Sequence, residues 1–82
     1  MALQLETLKE INQELSLYSD YKIHIEHLVS NTYCVCIRNS IHEGYYDRPI
    51  RRSQLKTLLD SVDDIKEFHY LLRLYAKDII NL

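Results

Sequence analysis

Hydrophobic and polar positions change their period along the chain, and each change marks an element. Over residues 3 to 18, Leu5, Leu8, Ile11 or Asn12, Leu15 and Tyr18 recur at three- and four-residue steps. That spacing lines one face of an α-helix. Glu6, Glu10 and Glu14 form a separate acidic stripe, and Ser19-Asp20 ends the pattern. From residue 21 to 29 the period becomes two. Tyr21, Ile23 and Ile25 point one way, and Lys22, His24 and Glu26 the other. Residues 32 to 38 alternate again, with Tyr33, Val35 and Ile37 on the core face and Cys34, Cys36 and Arg38 opposite. This is the pattern of two half-buried strands. Their core faces match only if paired positions sum to an even number. The pattern therefore predicts a hairpin loop of three or five residues around Ser30-Asn31.

Residues 39 to 44 hold the only glycine and predict a second turn. Residues 45 to 50, YYDRPI, predict a short third strand. Pro49 cannot donate a backbone hydrogen bond, which assigns that strand to an edge. Ser53 is the expected N-cap of a helix starting at Gln54. Leu55, Leu58, Leu59, Val62 and Ile65 line it. Ser61-Val62-Asp63-Asp64 looks like a second cap with acidic residues in its first turn. Two helices with a break near residue 61, or one long helix, fit this region. Ile65, Phe68, Leu71, Leu72, Tyr75, Ile79 and Leu82 continue the stripe to the end. The expected architecture is α+β, in the order α-β-β-(β)-α-α. An antiparallel hairpin sheet is packed on one face by helices.

At 82 residues the chain makes a single domain, 1–82. Hydrophobic residues are 46% and charged residues 27%, a normal globular balance, and one Gly and one Pro exclude collagen-like and Gly/Pro-rich disordered classes. No apolar run reaches the roughly 18 residues of a membrane span. The start, MALQLETLKE, lacks the basic and apolar pattern of a signal peptide. Cys34 and Cys36 share one strand, a poor geometry for a bridge. The expected setting is reduced and cytoplasmic.

The chemistry is sparse. Phosphate-cradling and nucleophile-elbow motifs are excluded by the single glycine. His24, Cys34 and Cys36 would be neighbours on the outer sheet face. They are three donors without the usual zinc spacings, so no metal and no cofactor is expected. A Cys-His catalytic pair would need a low-pKa thiolate and an oxyanion site, for which a flat strand offers nothing. The expectation is a protein without enzymatic activity.

Charge is segregated. The net charge is -2 overall, but -3 over residues 1 to 30, +3 over 31 to 56 and -2 over 57 to 82. The basic segment interleaves arginine with tyrosine, the composition of protein hot spots and of single-strand nucleic-acid contacts. The candidate partner-binding set is Arg38, His42, Glu43, Tyr45, Tyr46, Asp47, Arg48, Arg51 and Arg52. The alternative is that these arginines pair with the acidic helices. A protein partner is the first expectation and nucleic acid, through residues 38–56, the second.

The order of helix, hairpin with a short third strand and paired C-terminal helices resembles that of small phage-encoded proteins. In particular it is similar to compact anti-CRISPR proteins that inhibit Cas9. That resemblance covers element order and size over most of the chain. It implies a stoichiometric inhibitor that occupies the surface of a host defence nuclease. A charge of -2 departs from the strongly acidic members that mimic nucleic acid. The α-β-β-β-α order also resembles double-stranded-RNA-binding domains, whose basic residues at the start of the last helix correspond to Arg51, Arg52 and Lys56. The Gly- and Lys-rich signatures of those domains are missing.

Overall fold

The computed structural model describes residues 3–39 and 44–82. A 3-10 turn, Leu5–Thr7, leads into α1, Leu8–Leu15. Strands β1 (Tyr21–Val29), β2 (Thr32–Asn39) and β3 (Gly44–Arg51) follow, then α2 (Arg52–Asp60) and α3 (Ile65–Ala76). The three strands form one antiparallel sheet in the order β1-β2-β3. The α+β class, the element order and the helix-covered sheet are therefore as the periodicities predict. No helix among the described residues is long and apolar enough to cross a membrane.

The core joins one sheet face to all three helices. Ile23, Ile25, Tyr33, Val35, Ile37 and Ile50 come from the sheet. Ile11 and Leu15 come from α1; Leu55, Leu58 and Leu59 from α2; Phe68, Leu72 and Tyr75 from α3. Helix α1 is shorter than its stripe. Ser16 turns its Oγ back onto the Gln13 carbonyl, and Leu17 is 81% exposed. Asn12 faces inward and grips the free edge of β1. Its Nδ2 donates to the Ile25 carbonyl at 3.0 Å, and its Oδ1 accepts from the Ile25 amide at 2.8 Å.

Four local expectations are corrected. The β1–β2 loop is two residues, Ser30-Asn31, not three or five, and Ser30 takes a positive φ of 48°. Partners still sum to an even number through the body of the hairpin, because a bulge between His27 and Val29 absorbs the odd residue. Helix α2 begins at Arg52, not Gln54, and Ser53 lies within it. Gln54 Oε1 accepts from the Arg51 amide at 3.0 Å, and the Arg52 amide donates to the Asn31 carbonyl. The break near residue 61 is present, but Ser61 closes α2. Asp64 caps α3 by accepting from the Glu67 amide at 2.9 Å. Finally, α3 stops before the end of its stripe. Asp78 adopts φ 62°, and the Ile79 amide reaches back to the Leu74 carbonyl. This left-handed cap turns the chain out and leaves Ile79 exposed.

His69 is a buried polar group in this core, only 5% exposed. Its Nε2 donates to the Tyr21 carbonyl at 2.9 Å, and its ring stacks on Tyr18 at 4.2 Å. Burial lowers its pKa, the Tyr21 bond works against that, and the Arg73 charge adds to it. The unfolded chain therefore takes up the proton first as pH falls. Stability is full above the unfolded value of about 6.5 and is lost as pH falls from there toward the folded value. The melting midpoint should drop across that window in the wild type, and the drop should shrink in His69→Gln. An equal drop in both proteins would assign the pH dependence to other groups.

Candidate sheet-face interface

Antiparallel register decides which side chains share the uncovered face. Its rows, read across β1, β2 and β3, are Lys22–Arg38–Tyr45, His24–Cys36–Asp47 and Glu26–Cys34–Pro49, with Arg51 beyond them opposite Thr32. The helices pack on the other side. The outward face is thus a shallow, chemically mixed surface with two thiols along its middle strand.

Neighbours on this face hold one another. The Arg38 guanidinium lies 5.7 Å from the centre of the Tyr45 ring. The Cys36 thiol donates to Cys34 Sγ at 3.9 Å, and Asp47 lies beside that thiol and accepts from the Tyr45 hydroxyl. That contact raises the pKa of Tyr45. His24 Nε2 is 2.9 Å from Glu26 Oε1. Cys36 is only 5% exposed although it belongs to the open face. Lys22, His24, Arg38 and Tyr45 wall a depression around it. Burial, then Asp47 and Cys34, push its thiol upward. At neutral pH it is protonated, the reverse of what a nucleophilic cysteine needs.

The candidate partner-binding residues do not form one patch. Arg38, Tyr45, Asp47 and Arg51 share the open face. Arg52 begins α2. His42 and Glu43 lie outside the described residues. Tyr46 and Arg48 belong to the helix-side parity of β3, opposite Ile37 and Val35. Arg48 therefore does not share the open face with Tyr45. Arg48 lies over the Tyr75 ring at 4.2 Å, donates to the Tyr75 carbonyl at 2.6 Å and pairs with Asp78 at 2.8 Å. The Tyr75 hydroxyl returns a bond to the Pro49 carbonyl at 2.8 Å. This clasp fastens β3 to the end of α3, so Arg48 does pair with an acidic partner, as the alternative reading held. Tyr45 thus takes the open face and Tyr46 the helix-side parity, and both stay in contact with solvent. Tyr45 is 58% and Tyr46 39% exposed.

The sheet also gathers donors that are scattered in the sequence. Cys36 meets His24 and Glu26 of β1 in one group, and Cys34 and Asp47 of β3 in a second. Asp47 could not be placed there from sequence, because the 39–44 turn gives no rule for the register of β3.

Comparison of the chain with family models, with curated proteins and with solved structures returns no match.

Proposed function

We propose that this chain is a non-enzymatic protein-binding module that contacts its partner through the open face of the sheet. The observation that carries this reading is the one-sided packing. Three helices cover one face, and the other presents Arg38, Tyr45 and Arg51 around Cys34 and Pro49. Tyrosine and arginine are the side chains that dominate protein interfaces. The charges on this face are of both signs: Lys22, Arg38 and Arg51 against Glu26 and Asp47. Such a mixture suits a protein surface better than a polyanion, which calls for one continuous positive field.

The finer reading is a phage or prophage inhibitor that acts in the host cytoplasm. It would block a CRISPR-type nuclease by occupying its surface. Its support is the chain's size and element order. The test is cleavage by guide-loaded Cas9-type nucleases with increasing amounts of this protein. The expected result is inhibition complete near one equivalent, with a stable complex on gel filtration. Full cleavage across a panel of such nucleases removes the inhibitor reading. Anisotropy with labelled DNA and RNA separates the nucleic-acid alternative. The expected result is no binding at physiological salt. Binding with a log–log salt slope of about -3 to -4, the mark of roughly four phosphate contacts, would replace the protein-partner reading.

A further inference from the structure

A zinc site needs several donors to converge, in a set softer than the oxygen cages of magnesium or calcium. The open face places such a set around Cys36. His24 stands opposite it on β1, and Asp47 opposite it on β3. Cys34 is two residues along β2, with its Sγ 3.9 Å from that of Cys36. Two thiolates on one tetrahedral zinc, each bonded at about 2.3 Å, lie about 3.8 Å apart. The two sulfurs already have ligand spacing. Donor atoms of Cys34, Cys36 and Asp47 all lie within 4.8 Å of one another, as do those of His24, Glu26 and Cys36. Cys36 belongs to both groups, so a cation above it would be shared by them if the His24 and Asp47 side chains turned inward from their two strands.

Glu26 has a different part. Its Oε1 is 2.9 Å from His24 Nε2. A carboxylate partner places the ring proton on Nε2 and leaves the lone pair on Nδ1. Carboxylates orient metal-binding imidazoles in this way.

We propose that His24, Cys34, Cys36 and Asp47 form a site for a soft divalent cation of the zinc type, with Glu26 orienting His24. The ligands come from all three strands, so the cation staples the sheet on the side the helices leave bare. Both thiols bind as thiolates and release their protons to solvent; Asp47 binds as the carboxylate and His24 as the neutral imidazole. The ligand set then carries three negative charges against two on the metal. Lys22 and Arg38, which wall the same depression, offset the remainder. The site needs no protein partner, and its test is independent of the reading above.

The test uses the full chain, purified under reducing conditions, stripped with chelator and titrated with Zn²⁺ or Co²⁺. Saturating zinc should raise the melting midpoint by about 10 °C, while Mg²⁺ leaves it unmoved. The Co²⁺ form should show thiolate-to-metal charge transfer, and that band should vanish in Cys36→Ala. Because Cys36 is buried, two exposed positions carry the decisive comparison. Asp47→Asn and His24→Gln should keep the metal-free midpoint and each weaken zinc binding by at least about tenfold. Zinc that leaves the wild-type midpoint unmoved overturns the proposal. So does a zinc affinity unchanged in the Asp47→Asn, His24→Gln double variant.

Discussion

Phe68→Ala should lower the melting midpoint by about 20 °C or more, leaving the chain mostly unfolded at physiological temperature. Phe68 is fully buried on α3 and belongs to the cluster that joins the helices to the sheet. Removing a buried aromatic ring costs about 3–5 kcal/mol, from lost transfer energy and from the cavity left behind. At about 0.05–0.15 kcal/mol per residue, a domain of this length has about 4–12 kcal/mol in total. Small domains shield less of their surface and have little reserve. The loss is therefore comparable to the whole margin. Phe68→Leu, which keeps most of the volume, should fall much less. Thermal melts followed by circular dichroism check both. A midpoint within a few degrees of wild type for Phe68→Ala would show that the helix layer does not carry the fold.

Asn12→Ala should cost about 2 kcal/mol, more than most single changes on a half-exposed helix face. The side chain satisfies both backbone groups of Ile25 on the free edge of β1. Each hydrogen bond contributes about 1 kcal/mol net, and a group left without a partner in a half-buried place costs more. The loss also reopens an edge strand. Exposed strand edges are templates for pairing with another chain. The variant should therefore unfold at lower urea with an unchanged slope and exchange the Ile25 amide faster. It should also self-associate at high concentration. Gln13→Ala, at the adjacent exposed position, is the control and should behave as wild type. A wild-type urea midpoint for Asn12→Ala would remove the clamp from the account.

These effects show where the fold was legible. The alternation of Tyr21–Val29 and Thr32–Arg38 reveals two strands and their faces, because a sheet residue's side follows parity alone. The leucine stripe after residue 53 reveals the covering helices for a similar reason. What failed depends on events parity does not record. Loop length does not follow from parity, because a bulge can absorb a residue anywhere along the hairpin. The cap of α3 was misplaced because Ser61 and Asp64 are both capable caps. Ser61 instead ends α2, its amide on the Thr57 and Leu58 carbonyls, and leaves the cap of α3 to Asp64. The role of Asn12 depends on which edge of β1 meets α1, a tertiary fact.

The site was partly legible. Arg48 stands two residues before Ile50, so its helix-side position was within reach of the same parity rule. The attraction of a contiguous Arg/Tyr segment hid it. His24 and Cys34 were correctly read as neighbours of Cys36. The place of Asp47 depends on the register of β3, set by a turn whose composition gives no sharp rule. A strip that looks basic along the chain is divided by the sheet. Arg38, Tyr45 and Arg51 face out; Tyr46 and Arg48 take the helix-side parity; Asp47 sits amid the outward group.

In the proposed function the open sheet face, and not the helical side, meets the partner. The most direct measurement is calorimetric titration of the purified partner protein with two paired variants. One pair, Arg38→Glu with Tyr45→Ala, alters the open face. The other, Lys66→Glu with Tyr70→Ala, alters exposed positions on α3. The account predicts a loss of at least about 100-fold in affinity, about 2.7 kcal/mol, for the first pair. It predicts a change within about threefold for the second. Full affinity in the open-face pair, with loss in the helical pair, would contradict it.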